Sequence, residues 1–116
     1  ATPGPYTFIL EASKEVPRRV SHPSRKTIGL RVPEHTALQE LLALHGSALL
    51  ATTLIAPDET HPMNDASAIR DRFEKLIAGV IDAGACAQEP TTVIDLTGAE
   101  PQLIRQGRGD LARLGL

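Results

Sequence analysis

Residues 3–10 read Pro-Gly-Pro-Tyr-Thr-Phe-Ile-Leu, and the arrangement of everything after them depends on how this stretch is read. Positions 6–10 are aromatic, β-branched or aliphatic, which suits a pleated, half-buried surface, and Pro5 bounds them. A strand over 6–10 is therefore expected. The two prolines fix φ and the glycine permits close backbone approach, so the turn ahead of the strand is rigid. Such a turn can aim the Thr7 hydroxyl at a ligand; it can equally be an ordinary turn. Ala1 runs directly into this turn without a methionine, which suggests a segment of a longer chain.

Working outward, residues 11–25 are polar, carry Pro17 and Pro23, and read as a basic, exposed connector. Residues 27–32 (TIGLRV) form the next expected strand, closed by Pro33 because the residue before proline avoids helical geometry. Residues 34–45 predict a helix whose Leu38, Leu41, Leu42 and Leu44 cover much of its circumference, with Gly46 as its stop. That distribution predicts a largely buried helix. Residues 48–55 (ALLATTLI) are apolar throughout apart from two threonines and predict a strand buried on both faces. Asp65 is a natural N-cap for a helix over 66–78, with Ile69, Phe73, Leu76 and Ile77 on one face. Short strands are expected at 80–82, 92–96 and 103–105, and the tail 110–116 can open a helix. Strands and helices intermingle, so the expected fold class is α/β (or α+β): a twisted mixed sheet with helices packed on it.

Composition limits the function. The chain has 116 residues, 41% hydrophobic and 22% charged, with a formal net charge of −2. That is at most one domain, and it is too apolar for a disordered tail. Aromatics are 3%, without tryptophan, so the core is aliphatic. The longest uncharged apolar stretch, 47–57, is too short for a helical membrane span of about 20 residues. One cysteine, Cys86, excludes an internal disulfide; it is expected to behave as a small buried hydrophobe, in a reducing, cytoplasmic setting. His22, His35, His45 and His61 show no metal-ligand spacing, and no metal site is expected.

Charge is more informative in its distribution. Six of the twelve basic residues, Lys14, Arg18, Arg19, Arg25, Lys26 and Arg31, fall between positions 14 and 31. Such a run can follow a phosphate backbone or can be a solvated face. It lacks stacking aromatics, so contact driven by the shape of double-stranded RNA fits better than reading of single strands. Arg105-Gln106-Gly107-Arg108-Gly109 combines guanidinium groups with glycines whose N–H groups can converge on an anion; a surface turn is the alternative. Thr52-Thr53 and Thr91-Thr92 place hydroxyls on strands, where they either serve the ladder or meet a ligand.

Together these segments resemble a known family. PGPYTFIL at 3–10, KTIGLRVP at 26–33, LLATTL at 49–54, EPTTVIDL at 89–96 and LIRQG at 103–107 occur in the order found in the YrdC/YciO family, the threonylcarbamoyl-AMP synthases and their relatives. The long basic connector resembles the YciO branch. The resemblance spans essentially the whole chain. It implies a twisted sheet with a positive concave face and binding of double-stranded RNA or tRNA. In catalytic members it implies condensation of L-threonine, bicarbonate and ATP, with Mg2+ as the cation that accompanies such a nucleotide, toward the N6-threonylcarbamoyl modification of tRNA adenosine.

By the same resemblance, Thr7 matches the threonine of Pro-Gly-Pro-x-Thr, at the nucleotide. Thr53 matches the serine of Ser-x-Asn, also at the nucleotide, and Arg105 matches the ATP-contacting arginine of Leu-Arg-x-Gly. Thr91 matches the hydroxyl residue that faces the threonine substrate. Arg18, Arg19, Arg25, Lys26 and Arg31 would carry RNA contacts. No catalytic residue is assigned. Ile55 replaces the asparagine of Ser-x-Asn. The family's Lys-x-Arg motif lies upstream of the counterpart of Pro3, so residues 1–116 correspond to the C-terminal part of a single domain, expected to pair with the preceding segment or to self-associate. The alternative function is a non-catalytic, double-stranded-RNA-binding module of the translation-factor or ribosome-associated kind.

Overall fold

Hydrogen bonding between distant segments, more than local propensity, selects the strands. The computed structural model describes residues 3–13 and 26–116. They comprise β1 (Tyr6–Glu11), β2 (Thr27–Leu30), α1 (Thr36–His45), α2 (Ala66–Phe73), β3 (Thr92–Asp95), β4 (Gln102–Arg105) and a terminal 3-10 turn, Leu111–Leu114. The four strands form one mixed sheet in the order β2-β1-β3-β4. β1 pairs antiparallel with β2 and parallel with β3, and β3 pairs antiparallel with β4. The expected mixed α/β class is what is found. The chain divides into two compact units, one of residues 1–50 with 89–116 and the other of residues 51–88.

The first unit holds the sheet. Side chains alternate across a strand, and the core lies on the face bearing Tyr6, Thr92 and Ile94, which are 1%, 0% and 1% exposed. The opposite face carries Thr7 and Ile9 of β1, paired with Val93 and Asp95 of β3. Gly29 lies across from Ile9; a Cβ at Gly29 would touch Thr7 Cγ2 at 3.4 Å, so a small residue there keeps the Thr7 side of the sheet open.

α1 also belongs to this unit. It starts at His35, whose side chain accepts from Leu38 N, and stops at Gly46, which takes φ 79° as a C-cap. The stop is where the sequence places it, but the burial is not. No residue of α1 is buried, and Leu44 is 87% exposed. Leucines spread around a helix can all be covered only if neighbours surround it, and the described residues do not.

The second unit is organised by α2. The Asp65 carboxylate accepts from Ser67 N as the expected N-cap. The helix ends at Phe73 and gives way to turns rather than continuing to 78. Leu76 is 81% exposed, so the last expected turn has no apolar contact to hold it.

Two expected strands are absent. Residues 48–55 form no strand and are exposed throughout, Thr53 included. Residues 80–82 form none either, and Ile81 is 68% exposed. An apolar run shows that burial would be favourable, but a strand also needs a neighbour to complete its ladder. Among the described residues neither segment has one. Cys86 is likewise exposed rather than buried. No helix among the described residues is long and apolar enough to cross a membrane.

Candidate functional site

Sheet register brings three of the singled-out side chains to one place. Thr7 and Val93 are partners across β1 and β3, and Val93 and Arg105 are partners across β3 and β4. Thr91 precedes Val93 by two positions and so shares its face. Arg105 reaches that face through a register shift. Ile94 pairs with Leu103 while Val93 pairs with Arg105, so Ile104 is an extra residue on β4. Such a bulge re-aims the side chain that follows it. In an unbroken ladder Leu103 and Arg105 would share a face; here Leu103 pairs on the core side and Arg105 on the Thr7 side.

The contacts are direct. Thr7 Oγ1 and Thr91 Oγ1 are 2.7 Å apart and share a hydrogen bond. Arg105 donates from Nε and Nη2 to the Thr91 carbonyl at 3.0 and 2.9 Å, and from Nη2 to Thr91 Oγ1 at 3.2 Å. The fork is thereby fixed while Nη1 keeps its hydrogens without an acceptor among the described residues. Two hydroxyls that share one bond between them retain one O–H to donate elsewhere. The cluster therefore presents hydrogen-bond donors outward, and it suits a ligand rich in acceptors.

Other cations stand beside it. Continuing the antiparallel register one residue past Leu30 sets Arg31 opposite Thr7. Partial desolvation, then the charges of Arg108 and Arg105, pull the Arg31 guanidinium below its ordinary value. Much of the Arg31 surface is still exposed; its two like-charged neighbours are the informative part. Among the described residues none of these three arginines has a carboxylate ion-pair partner, the one salt bridge being Arg72–Asp58. Unneutralised like charges held together favour an anion between them.

The loop after β4 is stitched to the start of β3 and to the segment that leads into it. Thr92 Oγ1 donates to the Gly109 carbonyl at 2.9 Å and accepts from Gly107 N at 3.0 Å. Arg108 N donates to the Pro90 carbonyl and Arg108 Nε to the Glu89 carbonyl. A Cβ at Gly107 would lie 2.2 Å from the Pro90 oxygen, and one at Gly109 2.4 Å from Tyr6 Cε1. Both glycines are set by close approach. Tyr6 Oη donates to the Asp110 carbonyl at 2.8 Å.

Three of the four residues matched to the nucleotide and threonine motifs, Thr7, Thr91 and Arg105, thus form one hydrogen-bonded group. Thr53 lies in the 51–88 unit and is exposed. Of the basic run, Lys26 and Arg31 are exposed, and Arg18, Arg19 and Arg25 lie outside the described residues. Arg31, one of the residues expected to contact RNA, stands near enough to Arg105 and Arg108 to feel their charges. The sequence leaves the Thr92 hydroxyl with either the ladder or a ligand as its partner; the structure ties it to the Gly107–Gly109 loop instead. No group of three or more His, Cys, Asp or Glu side chains that could hold a metal exists among the described residues.

Comparison with known proteins gives consistent matches. The Sua5_yciO_yrdC family model, described as "Telomere recombination", matches residues 1–107. "Uncharacterized protein YciO" of Escherichia coli K12 is 47% identical over 110 residues, covering 95% of this chain and 53% of its own length. The crystal structure of E. coli YciO superposes with a TM-score of 0.86 at 47% identity, again covering 95% of this chain and 53% of that one. The threonylcarbamoyl-AMP synthase of Dichelobacter nodosus is 33% identical over 91 residues, 78% of this chain and 46% of its own. P. abyssi Sua5, crystallised with L-threonine, superposes with a TM-score of 0.83 at 30% identity, covering 97% of this chain and 33% of that one. The chain spans about half the length of the curated relatives it matches at 47% identity.

Proposed function

The chain belongs to the Sua5/YciO/YrdC family, and on that premise we propose that it is part of a threonylcarbamoyl-AMP synthase-like protein that binds ATP, L-threonine and double-stranded RNA or tRNA in the cytoplasm, in the route to N6-threonylcarbamoyladenosine in tRNA. Residues 1–116 form the C-terminal part of one such domain. The observation that carries this reading is the hydrogen-bonded group of Thr7, Thr91 and Arg105, with Arg31 and Arg108 beside it.

The chemistry fits the donor set. The threonine amine adds to bicarbonate and loses water, giving a carbamate. A carbamate oxygen then attacks the α-phosphorus of ATP, and the bond to pyrophosphate breaks. Negative charge builds on phosphate oxygens at both ends of that displacement. Fixed donors aimed at such oxygens stabilise the charge without reorganising at the moment of reaction. Arg105 supplies its unused Nη1 edge to the phosphates, Thr7 orients the nucleotide, and Thr91 orients the amino acid. Positioning of the reactants is the other main contribution. The L-threonine bound by P. abyssi Sua5 supports the choice of amino acid, and the D. nodosus synthase supports the choice of reaction. The basic stretch of Arg18, Arg19, Arg25, Lys26 and Arg31 contacts the RNA phosphates, with Arg31 at its junction with the nucleotide.

The test is pyrophosphate release from ATP by the full-length protein. Release that requires both L-threonine and bicarbonate supports the reading. Release independent of threonine removes it in favour of another ATP-cleaving activity; no release removes it and leaves a non-catalytic RNA-binding module, which would show salt-dependent duplex RNA binding instead.

A further inference from the structure

We propose that Arg108 is a further phosphate-binding residue of this site and that the buried Thr92 hydroxyl is its positioning residue. The inference rests on the nucleotide reading above and deepens it. Thr92 is 0% exposed, and its one hydroxyl is spent on both sides of Arg108, accepting from Gly107 N and donating to the Gly109 carbonyl. Arg108 is pinned a third time by its own N–H on the Pro90 carbonyl. Its Nε donates to the Glu89 carbonyl at 3.0 Å, so the guanidinium lies along segment 89–91. The Arg105 guanidinium is held on the same segment by the Thr91 carbonyl. Two arginines are thus held on the carbonyls of Glu89 and Thr91, two residues apart on one segment, each with its Nη1 edge left for a ligand. Holding them together repels like charge, and the Arg31 guanidinium senses both. An anion of several charges, a triphosphate or the pyrophosphate leaving group, is the chemistry that relieves this repulsion.

The geometry also separates positioning from bulk stability. Thr92→Val keeps the shape of the side chain and removes the bond that the loop on either side of Arg108 depends on. Thr92→Ser keeps the hydroxyl. The test measures ATP affinity by calorimetry for the full chain, Thr92→Val, Thr92→Ser, Arg108→Gln and the Thr92→Val/Arg108→Gln double variant. The Arg108 Nε–H resonance and the backbone amides of Ile9 and Gly29 are recorded by NMR in each. Arg108→Gln is expected to weaken ATP binding about tenfold, the size of one charge-assisted hydrogen bond. Thr92→Val should match it and lose the Nε–H resonance while the Ile9 and Gly29 amides persist. Thr92→Ser should stay within about threefold of wild type. In the double variant Thr92→Val should add nothing, because a positioning role has nothing left to position.

Full additivity of the two changes would overturn the proposal, as would Arg108→Gln binding ATP like wild type. So would a Thr92→Ser variant as weak as Thr92→Val. A wild-type chain that does not bind ATP would remove the nucleotide reading itself. The clamp would then be judged by the Nε–H resonance alone, and its survival in Thr92→Val would refute it.

Discussion

Replacing Gly109 by alanine tests the packing that holds the site together. A Cβ at this position would lie 2.4 and 2.6 Å from Tyr6 Cε1 and Cδ1 and 2.9 Å from Thr92 Oγ1. None of these atoms has room to yield. Tyr6 is 1% exposed, its hydroxyl is tied to the Asp110 carbonyl, and the Arg113 guanidinium sits 5.6 Å from its ring centroid. Thr92 is fully buried and doubly hydrogen bonded. Overpacking of a tight core costs about 1–3 kcal/mol. Loss or stretching of the Thr92–Gly109 bond adds about 1 kcal/mol. The expected destabilisation of Gly109→Ala is therefore about 2–4 kcal/mol, a large share of a typical domain's stability. It corresponds to a Tm lowered by about 10 °C or more. The readout is convenient, because Tyr6 is the one tyrosine of a chain without tryptophan. Its fluorescence through a urea or thermal transition follows this contact directly. Gly79→Ala is the control, since nothing lies within 4 Å of a Cβ there; it should leave the transition in place or raise it slightly. A Gly109→Ala variant that melts with wild type would refute the close-packed account of the loop.

Other expectations follow from the same geometry. Arg105→Lys removes the fork that grips the Thr91 carbonyl and hydroxyl together, since an ammonium cannot make planar paired contacts; ATP affinity by calorimetry should fall at least about tenfold. In the 51–88 unit, the hydrogen bond from Arg72 holds the Asp58 carboxyl below its usual range. The pair therefore stabilises above the ordinary carboxylate value of about 3.9, and its contribution disappears as pH falls through the lowered value. NMR titration of Asp58 should place its midpoint below about 3.9, and a midpoint above 4 would contradict the pairing. Cys86, being exposed, should react with a thiol reagent in the native protein without denaturant; protection until unfolding would restore the buried assignment. Asp65→Ala removes the cap on Ser67 N and should cost α2 about 1 kcal/mol, measured as lost helical amide protection.

What the sequence made legible follows a physical division. Propensity and punctuation are local, so β1, β2, β3 and β4 were found within a residue or two, and the Asp65 and Gly46 caps lie where expected. Burial is a relation between segments, and there the reading failed. The run 48–55 looks like a core strand by composition, yet it lacks a ladder partner among the described residues and is exposed. α1 was judged buried from its leucines and is not. The site divides the same way. Thr7, Thr91 and Arg105 were singled out through motifs, but their direct hydrogen bonding depends on the parallel register of β1 on β3 and on the bulge at Ile104. Neither can be read from spacing. Arg31 belongs to the basic run in sequence, and only the continued β2 register shows that it also lies opposite Thr7. The Thr92 hydroxyl is legible in sequence only as one that serves the ladder or a ligand; that it bridges two glycines 15 and 17 residues away cannot be read from spacing.

The most direct trial of the central claim is an NMR titration of the isotopically labelled full chain with ATP and then L-threonine. The account predicts that ATP shifts the Thr7, Thr91 and Arg105 resonances together, the Arg105 side-chain Nε–H among them, and that threonine moves Thr91 further. Saturating ATP that leaves these three unmoved, or that perturbs an unrelated surface such as α2, would contradict it.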